Sequence, residues 1–98
     1  MSSTHKLNLP FDQNALVAIL HNHGVTQASV FGSFARGDFT ESSDLDLLVQ
    51  FSEPVSLFEQ ISLQQDLESA TKRRVDVVTR LHPVFEPYIT ADLVPLPL

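Results

Sequence analysis

Residues Val30 to Phe51 read VFGSFARGDFTESSDLDLLVQF, and the periodicity of the last third decides the fold. Successive side chains of a strand point to opposite faces, so Leu45, Leu47, Val49 and Phe51 fall on one side and Asp44, Asp46, Leu48 and Gln50 on the other. The first face is wholly apolar and predicts a strand laid on a core. The second opens with two acids whose backbone positions stand about 6.6 Å apart, twice the strand rise. At that distance two ionised carboxylates repel by about 0.6 kcal/mol in water and about 2.5 kcal/mol at an effective dielectric of 20. A cation belongs between them. Two Mg²⁺ ions about 3.5–4 Å apart, each held by a carboxylate or two and by substrate phosphates, suit the spacing and the in-line attack at phosphorus that such pairs promote.

The beginning of the stretch supplies the complement of such a site. Gly32 lets backbone approach a ligand closely, and Ser33 brings a hydroxyl and an amide to the start of a short helix over Ser33 to Arg36, where anions are favoured. Arg36 can grip a phosphate. Taken alone, Ser33 reads first as a helix cap and Arg36 as a surface charge. The acids at 44 and 46 tip Ser33 toward phosphate binding and Arg36 toward a phosphate or a structural ion pair. Gly37 to Ser43 forms the connecting loop, in which Asp38 and Glu41 read as solvated acids and Ser42 and Ser43 as caps for loop amides.

Outward from this stretch the chain alternates helix and strand. Met1 to Pro10 is polar and expected to be loose at its start. Asp12 caps a helix over Gln13 to His23, with Ala15, Leu16, Ile19 and Leu20 on one stripe and Gly24 as its stop. His21, Asn22 and His23 read as a solvated helix end, since residues two apart on a helix do not share a face. Gln27 to Phe31 is the first strand. Beyond the second strand, Ser56 and Glu59 form a capping box for a helix to about Ala70, whose Leu57, Phe58, Ile61, Leu63 and Leu67 spread over a wide arc.

Arg74 to Thr79 is a third strand with the same alternation: Val75 and Val77 on one face, Asp76 on the other. Beside the second strand, Asp76 comes within reach of the same metal; the competing reading pairs it with Arg73 or Arg74. Lys72, Arg73 and Arg74 read as a solvated turn. Strand, crossover helix, strand predicts an α/β (α+β) fold, a small mixed sheet of about three strands with helices packed on one face. Residues 1–98 form one domain with a Pro-rich C-terminal tail over 83–98. In it Pro87 to Leu93 suits a short helix, Tyr88 a half-buried aromatic, and Leu93, Val94, Leu96 and Leu98 an apolar end that closes the core or faces a partner.

Composition narrows the function further. The 98 residues are 43% hydrophobic and carry a net charge of −6. That is room for one small core, and the acidity argues against a direct nucleic-acid track, which needs a basic face. Without cysteine there is no disulfide framework and no zinc-thiolate chemistry. No apolar run approaches a membrane span, so a soluble cytoplasmic protein is expected.

Gly32-Ser33, ten residues, then Asp44-Leu45-Asp46 resembles the G-S-x10-D-x-D signature of the polymerase-beta nucleotidyltransferase superfamily. The fuller wording GSFARG and SDLDLLV, in so short a chain, is similar to its minimal nucleotidyltransferases, antitoxins of HEPN ribonuclease toxins. The resemblance implies ATP as substrate, its phosphates held by Gly32, Ser33 and Arg36. It implies two Mg²⁺ ions on Asp44, Asp46 and Asp76, with the third acid orienting or deprotonating the attacking hydroxyl, and transfer of AMP to a tyrosine of a HEPN toxin in a hetero-oligomer. Two other readings stand beside it: a binding protein that neutralises its partner by occlusion, and a transferase acting on a small molecule or an RNA end.

Overall fold

In the computed structural model, which describes residues 9–98, the two long helices begin on side-chain caps. The expected looseness of the first residues lies outside that range. Helix α1 (Gln13–Asn22) starts where the Asp12 carboxylate accepts the Asn14 amide at 2.9 Å, and stops at Gly24, whose φ of 78° few other residues adopt. Strand β1 (Val25–Phe31) then leads through Gly32 into α2 (Ser33–Arg36), and β2 (Leu45–Phe51) follows the loop. Helix α3 (Leu57–Thr71) is capped by Ser56, whose hydroxyl accepts the Glu59 amide at 3.2 Å. Strand β3 (Val75–Val78), helix α4 (Glu86–Thr90) and strand β4 (Val94–Pro95) complete the chain.

The sheet order is β3-β2-β1-β4, with β2 and β3 parallel and the other pairs antiparallel. The parallel pair is the one joined through α3, since a parallel connection needs a crossover. Leu45, Leu47 and Val49 of β2 are fully buried with Val30 and Val75 from the neighbouring strands, against Leu16 and Leu20 of α1 and Leu63 and Leu67 of α3. Each such side chain contributes about 1.5–3 kcal/mol on leaving water.

The fold is a small mixed α/β sheet with helices, but it has four strands where about three are expected. β4 is too short to show periodicity, yet it pairs Val94 with Val30 and Pro95 with Ser29, the Leu96 amide donates to the Ala28 carbonyl at 2.8 Å, and Leu96 enters the core. α1 and α3 share one sheet face, whereas α4 lies over the other, a departure from helices on one face alone. On α3 only Leu63 and Leu67 of the apolar arc are buried, while Phe58 is 85% exposed.

Other expectations change with side-chain partners that lie far off in sequence. Arg73 does not sit in solvent: it is half-buried against Phe34 and Phe11. His23 is half-buried and joins Asp66 of α3 at 2.8 Å rather than ending α1 in water. Asp38 pairs with Arg36 at 3.3 Å. Tyr88, expected to be half-buried, is 75% exposed. Ser43 does cap the loop, its hydroxyl accepting the Thr40 amide at 2.8 Å.

Candidate active site

Gly32 has φ 76° and ψ −150°, a region essentially reserved for glycine. A Cβ there would also collide with the Asp46 carboxylate. Two constraints therefore make this corner glycine: the turn it takes and the acid it touches. Gly32, without a side chain, occupies the N-cap of α2, and no side-chain cap is made. Ser33 is the first helical residue, so the reading of Ser33 as a helix cap does not hold. Gly37, with φ 88°, closes the single turn by donating its amide to the Ser33 carbonyl at 2.9 Å. Beneath it the buried Phe34 ring stacks on Phe39 with centroids 4.3 Å apart, fixing the loop against α2.

Sheet register assembles the acids. Asp46 pairs with Phe31 of β1 on one side and with Asp76 of β3 on the other. Adjacent strands lie about 4.8 Å apart, so Asp46 and Asp76 are direct neighbours on the face turned away from α1 and α3. Asp44 precedes β2 and shares that face by alternation. Asp44 and Asp76 are exposed and Asp46 is half-buried. Among the described residues, Asp76 has no basic partner at salt-bridge distance, which removes its pairing with Arg73 or Arg74. The carboxyl of Asp46 titrates above the usual carboxylate range: burial is the main cause, Asp76 and then Asp44 add repulsion, and Arg36 offsets part of it. Arg36 itself is exposed and held by Asp38 and, at 3.4 Å, by Asp92, which raise its pKa further, the Asp38 hydrogen bond most of all.

Whether these residues suit Mg²⁺ is a question of donors and charge. Among the described residues no three His, Asp or Glu side chains already stand as a metal-holding cluster. Mg²⁺ takes one or two carboxylates together with water and substrate phosphates, so a closed protein cage is not its usual site. The hard oxygens of Asp44, Asp46 and Asp76, and the repulsion registered at Asp46, fit such an ion.

A cleft of about 400 Å³ continues along the same sheet face, between Ser29, Leu48 and Gln50 below and Glu86 and Thr90 of α4 above. A larger hollow of about 540 Å³, around Pro54 and Gln60, includes none of the site residues. Among the described residues no helix is long and apolar enough to cross a membrane.

Residues 14–93 match the family described as polymerase beta, nucleotidyltransferase, and the chain belongs to it. Within that family it is a minimal nucleotidyltransferase. A solved structure described as a minimal nucleotidyltransferase superposes with a TM-score of 0.74 at 37% identity, covering 86% of this chain and 88% of the other. MJ0435 of Methanocaldococcus jannaschii, named for the protein adenylyltransferase activity ascribed to it, is 38% identical over 90 residues, 90% of this chain and 97% of that protein. The fold is shared as well, at TM-score 0.66 and 20% identity over 86% of this chain and 67% of the other, with a structure described as tri-AMPylated Shewanella oneidensis HEPN toxin in complex with MNT antitoxin.

Sequence reading missed Arg73 and Asp92, which approach the site from 29 and 48 residues beyond Asp44. No local pattern marks either one.

Proposed function

We propose that this chain transfers AMP from ATP, with Mg²⁺, to a tyrosine hydroxyl of a HEPN-family ribonuclease toxin, and so serves as a cytoplasmic antitoxin in a hetero-oligomer with it. The observation that carries the reading is one row across the sheet: Gly32 against the Asp46 carboxylate, and Asp46 beside Asp76. The named activity of MJ0435 and the AMPylated HEPN toxin of the structural neighbour support the acceptor class.

Gly32 and Ser33 hold the β and γ phosphates at the corner, with Arg36 adding positive charge. Asp44, Asp46 and Asp76 would hold Mg²⁺, which, when bound, neutralises phosphate charge and favours the ionised acceptor oxygen. The acceptor comes from the Asp76 side, opposite the corner that holds the leaving group, as in-line displacement requires. Its oxygen bonds to the α-phosphorus, the bond to pyrophosphate breaks, and the hydroxyl proton passes to Asp76. With phosphates on one flank and acceptor on the other, the nucleoside runs down the strands into the cleft over Leu48 and Gln50. Rate comes chiefly from positioning and charge neutralisation.

The test combines purified chain, Mg²⁺, ATP labelled at the α-phosphorus and the candidate HEPN protein. Label should appear on the toxin, its RNase activity should fall, and Asp44→Asn or Asp46→Asn should abolish both effects. Full neutralisation by those variants would favour occlusion; label on RNA or a small molecule alone would displace the protein acceptor.

A further inference from the structure

The Arg73 side chain, in the turn between α3 and β3, points into the protein. Its guanidinium carbon stands 4.8 Å from the ring centre of Phe34 and 5.8 Å from that of Phe11, Nη1 donates to the Ser43 carbonyl at 2.9 Å, and Nε is buried without an acceptor.

The partners of this side chain are immediate neighbours of site residues. Phe34 follows Ser33, and Ser43 precedes Asp44. The next residue, Arg74, accepts the Leu45 amide on its carbonyl at 2.9 Å. Asp44 is thus gripped on both sides, at the carbonyl before it and the amide after it, by two consecutive residues of the segment that leads to Asp76. One guanidinium ties together the three pieces of chain that carry Ser33, Asp44 and Asp76.

We propose that Arg73 is a positioning residue for nucleotidyl transfer: through the Ser43 carbonyl and the Phe34 ring it sets Asp44 and the Gly32-Ser33 corner at the correct distance from Asp76. The inference rests on the function proposed above for that site. Its physical basis is the hydrogen bond to the Ser43 carbonyl and the guanidinium held over the Phe34 ring.

Arg73→Met keeps the stem without a donor, Arg73→Gln carries a donor that stops short of the Ser43 carbonyl, and Arg73→Lys keeps a charged donor at nearly full reach. Arg73→Met should lower kcat about 10- to 100-fold, the cost of small misplacements in a preorganised site, with KM for ATP changed far less. The Mg²⁺ concentration that half-saturates binding in isothermal titration calorimetry should increase about tenfold. Arg73→Lys should return most of both quantities. Wild-type kcat and Mg²⁺ midpoint in Arg73→Met would overturn the proposal, as would Arg73→Lys no better than Arg73→Met. If Arg73→Met does not fold by circular dichroism, Arg73→Gln takes its place: a loss of tenfold or more supports the proposal, and equality with wild type overturns it. The Mg²⁺ titration needs no turnover. A wild-type chain that transfers nothing, yet whose Mg²⁺ midpoint depends on residue 73, sinks the reading of the reaction and leaves the positioning role; transfer unchanged in all three variants does the reverse.

Discussion

Leu45, Leu47 and Val49 are sealed from solvent on one face of β2, whereas Asp46, between them in sequence, sits half-buried on the other and titrates upward. The same seven residues therefore stabilise the fold on one side and strain it on the other. An acid gathered with two others is a cost the apolar face must offset, and it is the expected signature of a site built for a charged ligand.

The contrast breaks most sharply at Asp46. Asp46→Asn should reduce AMP transfer by about 10³-fold, comparable to losing a preorganised electrostatic partner, while raising Tm of the metal-free protein by a few degrees. The sign follows from linkage: the folded-state pKa lies above the ordinary 3.8, so the favourable contribution of the bound proton is complete below 3.8 and is lost as pH rises through the folded value. The stability gap between variant and wild type should thus widen from pH 3.8 up to the raised folded-state pKa of Asp46 and stay constant beyond it in urea titrations. A variant less stable than wild type at neutral pH would refute the strain.

Leu47→Ala tests the opposite face. Leu47 is fully buried, and its truncation should cost about 3 kcal/mol in denaturant unfolding, with little effect on kcat while the chain remains folded. Gly32→Ala falls between the two. The glycine-only backbone predicts a loss of about 1–3 kcal/mol, and displacement of the Asp46 carboxylate adds a fall in activity that Leu47→Ala should not show. Lys72→Gly is the smallest change. Lys72 has φ 56° beyond the end of α3, away from both faces, and glycine there should stabilise by about 0.5 kcal/mol without altering transfer.

The legible part of this molecule was local. Alternation along 44–51, the glycine-serine corner and the Ser56 cap are short-range patterns with one physical meaning each, and they located the helices, the central strands and the acid-bearing face. Strand bounds were less well defined: β1 begins at Val25 rather than Gln27, and β3 spans Val75–Val78 rather than Arg74 to Thr79, because strand ends depend on neighbours as well as on side-chain type. The illegible part was relational. Arg73 resembles any basic turn residue until Phe34 and the Ser43 carbonyl meet it, and His23 resembles a solvated helix end until Asp66 of α3 lies beside it. A two-residue strand carries no period to detect. Asp76 stood between these cases: its face could be read from Val75 and Val77, but its nearness to Asp46 required the parallel pairing of β2 with β3.

On β4, the Leu96 amide points inward to the Ala28 carbonyl. Amides alternate along a strand, so that of residue 95 would point outward, and this residue is proline. This margin of the sheet therefore offers no donor at that position to a passing strand. On this flank accidental β-extension, and the fibrous aggregation that follows from it, is discouraged.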